Sequence, residues 1–193
     1  MKIKPEMKKI RDQVVDCQLC SLAKTRTLPV VGKGSHSAKI MFVGEAPGAN
    51  EDQTGRPFCG RAGDILSELL ESIGVKREEV YICNILKCRP PNNRDPLKSE
   101  IDACTPYLYE QIKIIKPKVI GCLGNFSVRF IMEKFGLENM IQGISKIHGQ
   151  MYNGKNEEVG EVKIVPMYHP AVATYNANMK DVLMEDFKVL KNI

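Results

Sequence analysis

The sequence predicts an α/β fold, a three-layer α/β/α sandwich built around a four-stranded parallel sheet. Four short apolar runs rich in β-branched residues are the expected strands, and they lie at 39–43, 80–86, 118–123 and 162–167. Segments with helical spacing of apolar residues separate these runs, and strands that alternate with helices are typical of such a sandwich. A chain of 193 residues suits one domain of this kind, so a single domain over 1–193 is expected.

The first half of the chain supplies two helices and the first strand. Apolar residues at helical spacing predict a helix over 5–16, with an inward face formed by Met7, Ile10, Val14 and Val15. A loop or short hairpin is expected over 21–37. The strand at 39–43 ends abruptly at Gly44, where a glycine-rich turn opens a long loop, and an amphipathic helix is expected over 64–73.

The second half continues the alternation. After the strand at 80–86, prolines and asparagines predict a stiff, irregular loop over 87–96. A helix is expected from Ser99, its candidate cap, to about Lys116, with Pro106 as an obstacle to an unbroken helix. The remaining expected elements are a helix at 125–135, a helix at 181–190 and an unassigned segment at 141–152.

Composition and charge narrow the class of protein. No apolar run approaches the roughly 20 residues that span a bilayer. The N-terminal sequence MKIKPEMKKI lacks the apolar centre of a signal peptide, so a cytoplasmic protein without membrane association is expected. The net charge of +5 is compatible with a polyanionic partner but does not identify one.

Seven cysteines are many for a cytoplasmic protein. An odd count in a reducing compartment favours metal binding or reactive thiols over disulfides. Cys17 and Cys20 form a Cys-x2-Cys pair, and fifteen residues separate Cys88 from Cys104. Four thiolates satisfy either a tetrahedral zinc ion or a cubane iron–sulfur cluster, and the spacing does not separate the two. The other cysteines are expected to be small buried hydrophobic residues: Cys59, Cys83 and Cys122.

Polar or aromatic side chains lie close to the end of each expected strand. They are Glu45 and Phe58 after the first, Asn84 at the second, Asn125 after the third and His169 after the fourth. Because the carboxyl ends of parallel strands meet at one edge of a sheet, these side chains are expected to share a crevice. An amide can read a pyrimidine edge, an imidazole can donate to developing negative charge, a carboxylate can orient water, and a phenyl ring can stack on a base.

Each of these residues also has a plainer explanation. A Glu or Asn at a strand end usually belongs to turn chemistry, a His before Pro is more often structural, and a Phe is ordinarily part of the core. The expected convergence at one sheet edge, rather than any single residue, therefore favours a binding site.

Four motifs in a fixed order make the sequence resemble one known family. GEAPG at 44–48, TGRPF at 54–58, NILKCRPPNNRDP at 84–96 and HPA at 169–171 are similar to the motifs of family 4 uracil-DNA glycosylases, the iron–sulfur branch of that superfamily. The resemblance covers nearly the whole chain. It implies a uracil-DNA glycosylase-like fold and a monofunctional hydrolase that removes uracil from DNA and leaves an abasic site. The expected partner is uracil-containing DNA, single- or double-stranded, and a monomer is expected.

The resemblance also implies roles for individual residues. The target base must leave the duplex, which costs a few kcal/mol, and Phe58 would then stack on it while Asn84 bonds uracil O4 and N3. His169 would donate toward uracil O2, and Glu45 would stabilise the sugar cation or position the attacking water. The remaining expected substrate-binding residues are Gly44, Ala46 and Glu51, the last of which either closes off uracil C5 or shares the water.

Members of this family carry a [4Fe-4S] cluster on four cysteines, and the matching residues are Cys17, Cys20, Cys88 and Cys104. The resemblance, and not the spacing, selects iron over zinc. The cluster is expected to be structural, joining the segments 17–20 and 88–104.

One position departs from the family's pattern. The family usually has leucine four residues after the His of HPA, where this chain has Ala173. A side chain that props open the base stack needs bulk. Either Val172 or Tyr175 takes that role here, or excision from duplex DNA is weaker.

Expected phosphate contacts are Lys87, Arg89, Arg94 and Lys146.

Three other interpretations stay open. A non-enzymatic relative would bind nucleic acid, or trap uracil covalently, without turnover. The covalent form would need an inserted His-bearing loop after the second strand, and 89–96 contains no His. A nucleotide-binding enzyme with structural zinc would need a phosphate loop, and no such motif follows the first strand. A glycosylase for other deaminated bases would share the motifs found here.

Overall fold

The structure, a computed structural model, describes residues 4–191 and 193, and its centre is one six-stranded sheet. In chain order the strands are β1 (Lys33–Gly34), β2 (Ile40–Gly44), β3 (Tyr81–Asn84), β4 (Val119–Leu123), β5 (Tyr152–Asn156) and β6 (Gly160–Met167). Their spatial order is β1-β3-β2-β4-β6-β5. The inner strands are parallel, whereas β1 and β5 pair antiparallel at the two edges.

The predicted number of strands is therefore right for the centre of the sheet and wrong for its edges. All four expected strands are present and parallel. The strand β1 has only two residues, and β5 has the polar sequence YNGKN. Neither carries the apolar pattern that reveals a buried strand, and short polar strands are common at sheet edges.

Helices cover both faces of the sheet. They are α1 (Pro5–Val15), α2 (Ala49–Thr54), α3 (Arg61–Ser72), α4 (Lys98–Ile115), α5 (Asn125–Lys134), α6 (Ile144–Ile147), α7 (Val172–Tyr175) and α8 (Met179–Phe187). Short 3₁₀ turns lie at Ser21–Lys24, Pro91–Asn93, Glu138–Met140 and Lys188–Leu190. In the described part of the chain, no helix has both the length and the apolar character needed to cross a membrane.

The strand β2 shows how the three layers are held together. Met41 and Val43 belong to a core shared with α1, α4 and α5, whereas Ile40 and Phe42 belong to a second core shared with α3 and α8. Successive side chains of a strand point to opposite faces, so β2 is buried on both sides. The predicted α/β/α sandwich is confirmed.

Two helices differ from the sequence prediction. In α1, Val15 is exposed rather than inward. The helix α4 is not capped by Ser99, because its N-cap is Leu97, two residues earlier, whose N–H donates to Glu100 Oε2 at 2.9 Å. It also continues through Pro106, whose exposed position leaves the Asp102 carbonyl, normally the acceptor for residue 106, next to water.

Candidate active site

Three of the expected site residues meet at the carboxyl ends of β2 and β3. Gly44 is paired with Asn84 in the register of these strands. A Cβ atom at Gly44 would overlap Asn84 Oδ1 and come within 3.0 Å of the Phe58 ring, so this close approach requires glycine. The rings of Phe58 and His169 are stacked, with centroids 5.4 Å apart and an interplanar angle of 26°. Gly44, Asn84, Phe58 and His169 thus meet around one crevice, and Glu45 directly follows Gly44 in the chain.

The amide of Asn84 faces this crevice. Asn84 is buried, and within the described residues its side chain makes no hydrogen bond to the protein. No buried side-chain nitrogen or oxygen of that part of the chain lacks a partner, so the Asn84 amide atoms must be accessible from the crevice. A donor and an acceptor are thus presented side by side to a ligand.

The surroundings of His169 fix its protonation state. The Ala171 N–H donates to His169 Nδ1 at 3.2 Å, which assigns the ring proton to Nε2. Burial lowers the pKa of His169, and the charge of Glu51 opposes that shift only in part. The imidazole is therefore neutral at pH 7 and carries an Nε2–H donor. Gly124 lies against this residue, since a Cβ atom there would be 3.4 Å from His169 Cβ.

Glu45 is a half-buried carboxylate at the end of β2. Burial raises its pKa above the ordinary value, and the negative charge of Asp95 adds to this effect. Its backbone carbonyl accepts a hydrogen bond from the Leu86 N–H at 3.0 Å, which continues the β2–β3 pairing beyond both strands. No side-chain hydrogen bond or ion pair to Glu45 is present in the described chain, so its carboxylate is available to water or substrate.

Glu51 is used differently. Its Oε2 accepts a hydrogen bond from the Gly48 N–H at 3.1 Å, and its Oε1 accepts one from the Cys59 N–H at 2.9 Å. Both oxygens thereby join the start of α2 to the loop that carries Phe58. Ala46 is partly buried beside this loop. Asn125 is exposed at the start of α5, directly after Gly124.

The four cysteines expected to bind metal line one small cavity. Cys17, Cys20, Cys88 and Cys104 share it with Leu22, Leu86 and Tyr107. In the described residues no group of three or more His, Cys, Asp or Glu side chains is arranged around a single metal ion. What the four cysteines share is therefore the lining of one cavity.

Hydrogen-bond donors face two of these sulfurs. The Arg26 guanidinium donates to Cys88 Sγ at 3.2 Å and to the Cys17 carbonyl at 3.2 Å, and the Lys87 N–H donates to Cys104 Sγ at 3.1 Å. Burial raises the pKa of the Cys104 thiol to about 12. Of the three cysteines expected to be buried, Cys83 and Cys122 are buried and Cys59 is exposed.

The expected phosphate contacts have mixed environments. Lys87 is only 1% exposed, and its Nζ donates to the Asn84 carbonyl and to Gln111 Oε1 at 2.8 Å each, so its assignment to phosphate is wrong. Arg94 forms a forked ion pair with the buried Glu100. Arg89 donates to Asn93. Lys146 is exposed.

Two further groups have contacts that sequence analysis did not predict: Arg77, which it missed, and His148, whose segment 147–149 is similar to one of the family but receives no role from the sequence. Arg77 donates to the backbone of the Phe58 loop. His148 Nδ1 lies 2.8 Å from Asp186 Oδ1, and the His148 ring packs against Tyr168 at 4.8 Å between centroids. Arg77 lies in a charged stretch that resembles a solvated surface. The partner of His148 is 38 residues away in the chain. The contacts of these two residues are therefore not indicated by the local sequence.

The helix α7 follows His169 and carries the position that departs from the family pattern. Ala173 is partly buried against the core shared with α3 and α8. Tyr175, at the end of the same helix, is 90% exposed. Of these two residues, only Tyr175 projects a large apolar side chain into solvent.

Comparisons with known proteins agree with this geometry. A family model described as the uracil DNA glycosylase superfamily matches residues 31–189. A type-4 uracil-DNA glycosylase of Sulfurisphaera tokodaii is 48% identical over 97% of this chain and 84% of its own length. One of Archaeoglobus fulgidus is 47% identical over 91% of this chain and 87% of its own. A third, of Thermotoga maritima, is 40% identical over 96% and 93%.

Proposed function

The chain belongs to the uracil DNA glycosylase superfamily, and we infer from this membership that it excises uracil from DNA. The reaction is hydrolysis of the N-glycosidic bond, and the product is DNA with an abasic site. The observation that carries the proposal is the crevice in which Asn84, Phe58 and His169 converge around Gly44. All of these groups come from one chain, so a monomer is expected to suffice.

Uracil is proposed to enter this crevice after rotation out of the DNA stack. Enzymes that act on a base inside a duplex must extrude it, at a cost of a few kcal/mol. Stacking on Phe58 would return about 1–3 kcal/mol. The Asn84 amide would accept from uracil N3 and donate to O4, whereas cytosine presents the opposite polarity at both positions. The free amide of Asn84 supports this role.

His169 and Glu45 are the proposed catalytic residues. As the glycosidic bond breaks, uracil becomes anionic and the sugar acquires positive charge. The neutral His169, with its proton on Nε2, is suited to donate toward uracil O2. The carboxylate of Glu45 would stabilise the sugar cation or orient the attacking water. An electrostatic contact of this kind is typically worth about 10²–10³-fold in rate.

Glu51 and Ala46 are proposed to act on the substrate through the shape of the loop. The hydrogen bonds of Glu51 to Gly48 and Cys59 leave its carboxylate engaged with backbone, which favours a role in setting the wall near uracil C5 over a role in activating water. Ala46, next to Glu45, would leave room for the base.

A [4Fe-4S] cluster is proposed on Cys17, Cys20, Cys88 and Cys104. Support comes from the one cavity that the four cysteines line and from the N–H donors that Arg26 and Lys87 direct at sulfur, and the choice of iron over zinc rests on the resemblance to family 4. The bound metal would stabilise thiolates that burial otherwise disfavours. Its contribution is structural cross-linking, because these residues join the end of α1 to α4 and to the loop after β3.

Purification without oxygen followed by two assays tests the proposal. The expected protein is brown, contains iron, and converts a single-stranded oligonucleotide with one uracil into an alkali-labile abasic product. A colourless protein with one zinc would remove the iron assignment and leave the activity to be judged separately. A brown protein that leaves uracil in place would favour the non-enzymatic alternative and contradict the proposed function.

A further inference from the structure

Arg77 makes four hydrogen bonds to the loop that carries Phe58 and to the helix that follows it. Its Nη2 donates to the carbonyls of Pro57 at 3.1 Å and Phe58 at 2.7 Å. Its Nη1 donates to the Gly63 carbonyl at 3.1 Å and to Ser67 Oγ at 2.9 Å. One half-buried guanidinium therefore holds two consecutive peptide groups of the loop against the first turns of α3.

The backbone held in this way is strained. Phe58 has φ of 51°, a left-handed conformation that bulky residues rarely adopt. Such conformations persist only where surrounding structure enforces them, and they concentrate at functional sites. A Cβ atom at Gly63 would overlap the Phe58 carbonyl, so α3 packs directly onto this peptide group. The loop has no room to relax toward α3 and is pulled toward it by Arg77.

The position of this backbone determines where the Phe58 ring lies. The ring is stacked against His169 at 5.4 Å and lies beside Gly44, at the centre of the crevice. A shift of the Phe58 carbonyl away from Arg77 would move the ring by a similar amount. Aromatic stacking depends on the spacing and offset of the two rings, so such a shift would weaken contact with a bound base.

We propose that Arg77 is a positioning residue for uracil binding, which holds the peptide groups of Pro57 and Phe58 so that the Phe58 ring presents its face to the base. This inference rests on the proposed function, in which Phe58 stacks on uracil. The fork of a guanidinium suits the role because it can donate to several carbonyls at fixed angles, whereas an ammonium group acts as a single point. Arg77 does not itself touch the substrate.

Inhibition by free uracil isolates this role from DNA binding. The variants Arg77→Ala, Phe58→Ala and the double variant are compared with the parent protein for the inhibition constant of uracil and for kcat and KM on a single-stranded uracil oligonucleotide. Lys76→Ala is the matched control, because it removes a neighbouring exposed cation whose side chain makes no hydrogen bond in the described structure. Circular dichroism at the assay temperature selects folded variants.

We expect Arg77→Ala and Phe58→Ala each to raise the inhibition constant of uracil about tenfold or more, since stacking on an aromatic ring is worth that much. The inhibition constant for the double variant should be no higher than that for Phe58→Ala alone, because Arg77 acts only through the Phe58 ring. Lys76→Ala should lie within about twofold of the parent. The Arg77→Lys variant should fall between the parent and Arg77→Ala.

Two results would overturn the proposal. One is an inhibition constant of uracil for Arg77→Ala that lies within about twofold of the value for the parent protein. The other is an inhibition constant for the double variant that exceeds that of Phe58→Ala by the same factor that Arg77→Ala produces alone. If Arg77→Ala does not fold, Arg77→Lys decides, and unchanged uracil inhibition in that variant contradicts the proposal. Failure of the proposed function is distinguishable, because the parent protein would then release no uracil.

Discussion

His169 is the residue whose chemistry depends most on its neighbours. The Ala171 N–H occupies Nδ1, so protonation of that nitrogen would set two N–H groups against each other. Burial also lowers the pKa of the imidazole below its ordinary value of 6.5. Both effects favour the neutral ring, which keeps its donor on Nε2. The same two effects move protonation of the imidazole to lower pH, so the neutral ring is lost only in acid.

We predict that kcat falls as the pH is lowered, and that protonation of His169 contributes to the fall only below about pH 6.5. The proposed mechanism needs neutral His169 and ionised Glu45, and each is lost by protonation as the pH falls. Burial lowers the pKa of His169 below its ordinary value and raises the pKa of Glu45 above its ordinary value, so Glu45 is expected to contribute to the fall at a higher pH than an ordinary carboxylate would. Excision from a single-stranded uracil oligonucleotide, measured from pH 4.5 to pH 8.5, gives the profile.

His36→Ala is the control for this profile, since it removes a histidine that bonds to the Lys4 N–H outside the crevice. Its profile should match that of the parent protein. An acid limb with a midpoint above about pH 7 would contradict the neutral-histidine account, because it would require a raised His169 pKa.

Asn84→Asp should lower kcat/KM for uracil by about 100-fold or more. The substitution preserves shape but replaces the amide donor with a second acceptor, which would face uracil O4. Asn125→Asp is the matched control, because it makes the same change at an exposed position at the start of α5. A rate for Asn84→Asp within a few-fold of the parent would show that this amide does not read the base.

Sequence analysis located the crevice residues but not their supports. Glu45, Phe58, Asn84 and His169 follow strand ends, and the geometry of a parallel sheet brings such positions together. In the sequence, Lys87 looks like a surface cation. Its hydrogen-bond acceptor, Gln111, lies on a different element, and nothing in the local sequence indicates this contact. Polar groups that are satisfied by distant partners become visible only when the fold is known.

At the scale of elements, the short helix α7 is the element expected to contact the base stack of duplex DNA. Ala173 is partly buried against the core and has no side chain large enough to enter a base stack. Tyr175 is exposed on the same short helix, directly after the His169 loop. We therefore expect Tyr175 to take the part of the wedge that enters the base stack.

Tyr175→Ala should lower excision from a U·A duplex about tenfold and leave excision from the single strand within about twofold. The reason is that only the duplex requires a base pair to be opened and held open. Parallel single-turnover assays on both substrates measure the difference. Equal losses on the two substrates, or a higher duplex rate in Ala173→Leu, would place the wedge elsewhere.

The helix α4 contributes Cys104 to the cysteine cavity. Replacing the Cys104 thiol tests the proposed cluster. Cys104→Ser should lose most of the visible absorbance and the iron, and its melting temperature should fall by at least about 5 °C, because the bound cluster stabilises the folded state. Cys59→Ser is the control, since Cys59 is exposed outside the cavity. Retention of iron and of the melting temperature in Cys104→Ser would remove this residue from the ligand set.

The sheet also shows which elements a sequence can reveal. The inner strands are buried on both faces, and their continuous apolar runs made them predictable. The edge strands β1 and β5 form through backbone pairing with little side-chain burial, so no hydrophobic pattern marks them. The helix α4 passes through Pro106 because tertiary packing of Leu108 and Ile112 outweighs a local penalty.

At the scale of the whole molecule, the crevice and the cysteine cavity are joined by one short segment after β3. Asn84 opens this segment, Lys87 is buried within it, and Cys88 ends it. On the other side of the cavity, Arg26 joins the end of α1 to Cys88 through hydrogen bonds to Val14, Val15 and Cys17. The arrangement makes the N-terminal segment part of the scaffold that supports the crevice.

The central claim is that this crevice holds uracil while His169 stabilises the departing base. The most direct measurement is single-turnover release of uracil from a single-stranded oligonucleotide, by the anaerobically purified protein and by His169→Ala, because this substrate needs no duplex opening. The account predicts release by the parent protein and a rate about 10²–10³-fold lower for the variant. No release by the parent protein, or a His169→Ala rate within a few-fold of it, would contradict the account.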